Sequence, residues 1–79
     1  MPKRVLVVDA NERHRKAIAA GIKNNRPTES FEVVETACHK SALITLIADQ
    51  AIEEVCLHGV LFERKSAIDN LTRPSVFVR

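Results

Sequence analysis

The side chains able to do chemistry in this chain fall in short clusters. Cys38-His39 and Cys56-x-His58 offer four donors of the types that bind zinc. Their spacing matches no standard finger. Adjacent residues splay their side chains apart, and Cys56 and His58, two apart on a strand, share a face that a packed sheet buries. A core cysteine beside a hydrogen-bonded histidine is the preferred reading, so neither metal nor cofactor is expected. Cysteine–histidine nucleophilic chemistry would also need an orienting third group and an oxyanion-binding loop, and neither is visible. Gly21 and Gly59 are the only glycines, which removes the phosphate-cradling loops of kinases, NTPases and dinucleotide enzymes. Asp9 and Glu63 each close an apolar run and are the acids best placed for a site at strand ends. Arg13, Arg15, Lys16, Lys23 and Arg26 form a basic row. With no Tyr or Trp and three Phe in strand-like runs, there is no stacking platform for single-stranded nucleic acid. Phosphate contacts to a duplex are the reading that row leaves open.

The elements that must position these residues follow from the apolar pattern. Residues 5–8, Val-Leu-Val-Val, run without alternation, as in a strand buried on both faces. Asn11 is placed to cap a helix over about 12–24, with His14, Ala17, Ile18, Gly21 and Ile22 on its contact face. Residues 24–30 read as a loop. Residues 31–35 alternate partly, as in a strand nearer an edge. A second helix is expected over about 39–50, capped by Thr36 or Ser41, with Leu43, Ile44, Leu46 and Ile47 buried. Residues 55–62 read as a third strand ending at Glu63, with Gly59 marking a close approach of another element. Ser66-x-x-Asp69 has the form of a capping box opening a short helix through Leu71. Pro74 stops it, and residues 75–78 read as a fourth strand.

The order β-α-β-α-β-α-β favours right-handed crossovers and a parallel sheet. The expected fold class is therefore α/β: about four strands in the order 2-1-3-4, helices on both faces, an incomplete flavodoxin-like half with residues 5–8 central. Functional residues in such sheets lie at the carboxyl ends of strands. Seventy-nine residues make one domain or the amino-terminal piece of one. Two cysteines and no export-like or membrane-spanning apolar run point to a reducing cytoplasm and no membrane partner. Net charge is +2, but it is uneven: +5 over residues 1–26, −5 over 27–64 and +2 over 65–79. Such asymmetry fits either a solvated basic helix, the preferred reading, or matching between oppositely charged elements or copies.

Lys3-Arg4-Val5-Leu6-Val7-Val8-Asp9 followed by a helix resembles the opening of response-regulator receiver domains. Gly59-Val60-Leu61-Phe62-Glu63 is similar to their third strand, which ends in the phosphoacceptor aspartate. That resemblance implies a degenerate phosphorylation site at Asp9 and Glu63. A receiver has an acidic pair after its first strand, and here Ala10 follows Asp9. Its hydroxyl residue after the fourth strand and lysine after the fifth have no counterparts. Phosphoryl transfer needs metal and cation clamps in exact geometry, so the resemblance implies a pseudo-receiver without phosphorylation, serving protein–protein interaction, assembly or regulation. Residues 41–47 with 57–63 are also similar to the receiver-like amino-terminal wing of bacterial ornithine/lysine/arginine decarboxylases. There the cofactor, pyridoxal phosphate, would belong to downstream domains and the wing would serve assembly. A basic-helix nucleic-acid-binding regulator is the third reading. Self-association is expected through Ser75, Val76, Phe77, Val78 and Arg79, an apolar strand edge with a charged rim.

Overall fold

The computed structural model describes residues 3–25 and 31–73. The elements are β1 (Lys3–Val8), α1 (Glu12–Asn25), β2 (Phe31–Thr36), α2 (His39–Ala48), β3 (Ile52–Leu57), β4 (Val60–Glu63) and α3 (Arg64–Thr72). The sheet order is β2-β1-β3-β4. β1 pairs in parallel with β2 and β3, and β4 returns antiparallel to β3. The fold is thus an α/β sheet of flavodoxin/receiver-like strand order with helices on both faces, mixed at its last strand.

The central strand is the one the sequence marks. Val5, Leu6, Val7 and Val8 are all at most 1% exposed, as an unbroken aliphatic run between two neighbours requires. On one face, Leu6, Val8, Val55 and Leu57 pack with Ala42 and Leu46 of α2 and Ala67 of α3. A bulge between Arg4 and Val5 on the β1–β3 ladder sets Ile52 opposite Arg4 and Glu54 opposite Val5, leaving Glu53 extra. That extra residue shifts the side-chain phase, so Ile52 joins Val55 and Leu57 in the same core although it is three residues from Val55. α1 covers the opposite face.

Several expectations are corrected. Residues 55–62 are not one strand. His58 (φ 50°) and Gly59 (φ 84°) form a two-residue reversal, the geometry that suits a tight hairpin, and the chain folds back. Gly59 serves this turn and no close approach, since a Cβ there would meet nothing within 4 Å. The order is consequently β-α-β-α-β-β-α, and the fourth place in the sheet is taken by Val60–Glu63. The strand expected at 75–78 lies outside the described residues.

On α2, Ala42 and Leu46 face the core, while Ile44 and Ile47 are 59% and 66% exposed. After its first turn the helix is apolar except at Thr45, and the small Ala42 is fully buried in the core against the sheet. Neither Thr36 nor Ser41 caps it; Cys38 occupies the cap position without a side-chain capping hydrogen bond. α3 begins at Arg64 with Glu63 at its cap, so Ser66 lies inside the helix. On α1, Ala19 is buried, Arg15, Ile18 and Ile22 are half-buried, and His14 and Ala17 are exposed. The stripe is turned by about one residue because the Arg15 head finds acceptors at the sheet edge.

Candidate functional site

The carboxyl edge of the three parallel strands gathers most of the polar chemistry. Asp9, directly after β1, is 7% exposed. Its Oδ1 accepts the Asn11 backbone N–H at 2.9 Å, and its Oδ2 lies 2.6 Å from His14 Nδ1. These bonds, the Asn11 amide first and the His14 ring after it, hold the Asp9 carboxyl below its ordinary range against the opposing effect of burial. Asn11 caps α1 as its type suggests: Oδ1 accepts the His14 backbone N–H at 3.0 Å. An Asx turn and an N-cap therefore meet at Asn11 and fix Asp9 against the first helical turn.

The basic row meets the acidic middle of the chain here. Arg15 Nε donates to Glu35 Oε1 at 3.1 Å, and Arg15 Nη1 donates to the Asp9 backbone oxygen at 2.9 Å. Lys16 Nζ lies 3.5 Å from the same Glu35 oxygen. The Arg15 hydrogen bond, aided by Lys16, lowers the Glu35 carboxyl. At the other end of β1, Arg4 pairs with Glu32 at 2.9 Å and with Asp49. Opposite charges in the first and middle segments thus match within the molecule, the second of the two readings of the uneven charge. Arg13 and Lys23 are exposed, and Arg26 lies outside the described residues.

The segments after β2 and β3 bring further groups near this edge. Cys38, exposed ahead of α2, sits 3.2 Å from Ser41 Oγ, and hydrogen bonds from Ser41 lower its thiol below the ordinary value. Cys56 is buried on β3, and that burial raises its thiol. The four candidate zinc donors do not converge: among the described residues no group of three or more His, Cys, Asp or Glu could hold a metal ion. Two of them do meet. His39 Nε2, in the first turn of α2, lies 3.4 Å from His58 Nε2 in the β3–β4 turn. Thr36 Oγ1, at the end of β2, is buried without a hydrogen-bond partner.

Asp9 and Glu63 are not brought together. Because β4 runs backward, Glu63 pairs with Glu54, whose other neighbour is Val5. It therefore lies about four residues down the sheet from Asp9 and two strands across, a separation of roughly 16 Å at ordinary strand spacings. The position after β3 on the Asp9 edge belongs to His58. The residues expected at an interface, 75–79, lie outside the described region.

Arg64 was not legible as a functional residue. Its Nη1 donates to the backbone oxygens of Asp49 and Ile52 at 2.9 and 2.8 Å, and its Nη2 donates to Leu46 O. One guanidinium so ties the start of α3 to the end of α2 and the entry of β3. Its partners are carbonyls, which no spacing of side chains announces.

No family model, no curated protein and no solved structure matches this chain. Among the described residues no helix is long and apolar enough to cross a membrane.

Proposed function

We propose that this chain is a non-catalytic, receiver-like interaction module, and that its first partner is a second copy of itself. The observation that carries this reading is the state of β4. Among the described residues no strand pairs with its outer edge. Val60 and Leu61 upon it are 55% and 42% exposed. Beside it, on the face that α1 leaves partly uncovered, Ile18, Ile22, Cys56 and Leu61 line an open cleft of about 300 Å³. An apolar edge with an adjoining cleft is a template for pairing.

Self-pairing suits this strand electrostatically. Two β4 strands meeting antiparallel across a two-fold axis set Glu63 of each against Val60 of the other, so the acids stay apart. The basic surface of α1 favours other uses less, because Arg15 and Lys16 are engaged by Glu35. The non-catalytic part of the reading is supported by Asp9, both of whose oxygens have partners within the chain, and by the distance to Glu63.

The test is a dilution series followed by backbone amide NMR. Shifts concentrated at residues 18, 22, 56, 60 and 61 as concentration rises are the expected result. Shifts confined to the carboxyl edge around Asp9, or none, would overturn the reading. Incubation with a small phosphodonor and magnesium is expected to add no phosphoryl mass; a stable increment would contradict the non-catalytic assignment.

A further inference from the structure

We propose that His39 and His58 form a two-histidine site for a divalent transition-metal ion of the zinc class, its remaining coordination positions filled by water. The geometry comes first. The two Nε2 atoms stand 3.4 Å apart, long for a hydrogen bond between imidazoles. Two nitrogens bound to one tetrahedral zinc at ordinary Zn–N distances are separated by about 3.3 Å. The rings are set edge to face, with centroids 5.5 Å apart and planes at 61°, so they meet through their edges instead of stacking. Both residues are exposed, which leaves the approach open to a hydrated ion.

The backbone holds the pair in this arrangement. His58 occupies a left-handed position (φ 50°), one of the few non-glycine types found there with any frequency. Its backbone N–H donates to Val8 O at 3.4 Å, tying the turn to the central strand. His39 is carried by the first turn of α2, whose Ala42 and Leu46 are fully buried. Two separate rigid elements therefore present one nitrogen each. Asp9, at the same sheet edge, directs its two oxygens to the Asn11 backbone N–H and the His14 ring. Histidine and water are ligands that a borderline ion such as Zn²⁺ accepts and that Mg²⁺ does not prefer. The site stands independently of the self-association proposed above, which uses β4 and the α1 cleft.

Zinc chloride titrated into the full chain provides the test, read by long-range ¹H–¹⁵N spectra of the imidazoles and by calorimetry. The His39 and His58 ring nitrogens are expected to shift together, with His14 unmoved. His39→Gln and His58→Asn should each weaken binding tenfold or more, while Cys38→Ala leaves it unchanged. Asparagine is well tolerated in the left-handed turn, so His58→Asn removes the ligand and keeps the hairpin. Circular dichroism of each variant checks the fold. Zinc affinity that survives either histidine substitution, falls with Cys38→Ala, or shifts His14 instead would overturn the site, as would no binding.

Discussion

Replacing Arg64 with methionine keeps most of the aliphatic stem and removes the guanidinium that joins Leu46 O, Asp49 O and Ile52 O. Hydrogen bonds from a charged donor contribute about 1.5–3 kcal/mol each when buried, and these are only partly so. Water can reach some of the freed carbonyls, and about 1 kcal/mol for each gives a loss of about 3 kcal/mol. A domain of this length is stable by roughly 4–12 kcal/mol, so the loss is a large fraction of the whole. At about 4–8 °C per kcal/mol, the melting temperature should fall by about 12 °C or more. Arg64→Lys, which keeps the charge but cannot bridge three carbonyls, should fall between. Urea unfolding followed by circular dichroism, with thermal melts alongside, measures the series. A methionine variant within about 3 °C of wild type would refute the claim that this side chain clamps α2 to β3, since it implies less than about 1 kcal/mol.

Gly59→Ala places a side chain at φ 84° with open space around it, so its cost is conformational and should be about 1–2 kcal/mol in chemical denaturation. Cys38, exposed and with its thiol lowered by Ser41, should react quickly with a thiol reagent, whereas Cys56, buried and raised, should react only on unfolding; equal rates would contradict the placement of both. Asp9, Glu35 and Asp49 titrate below their ordinary values of 3.8, 4.5 and 3.8, so the unfolded chain binds more protons in the acid range. Their contribution is complete above about pH 5 and lost as pH falls through the lowered native values, and Asp9→Asn should flatten that acid slope.

What could be read from residues alone depended on how local the deciding physics was. β1 was legible because four aliphatic residues in a row admit few exposures, and the Asn11 cap because it acts within three residues. The hairpin was missed because Leu57-His58-Gly59-Val60 is apolar on both sides of its turn; a residue preceding glycine between two strand-like runs was the available signal. That one turn also moved Glu63 away from Asp9 and put His58 beside His39, so an error in a local element became an error about the site. The buried face of α2 was obscured by Ile44 and Ile47, whose apolar character suggests burial that packing does not supply. Exposed isoleucines on a helix are unremarkable singly, and only the position of Ala42 against the sheet decides the helix rotation. The charge asymmetry was visible from the start, but its resolution into Arg15–Glu35 and Arg4–Glu32 required the strand order.

Sedimentation velocity of the wild-type chain beside Leu61→Lys, carried to high micromolar concentration, tests the interaction assignment most directly. Leu61 is 42% exposed and lies outside the buried core cluster, so the substitution should leave folding intact, as circular dichroism would verify. A wild type that moves toward dimer with rising concentration, and a lysine variant that stays monomeric, is the expected result. A wild type that remains monomeric throughout, or a variant that dimerises equally well, would contradict it.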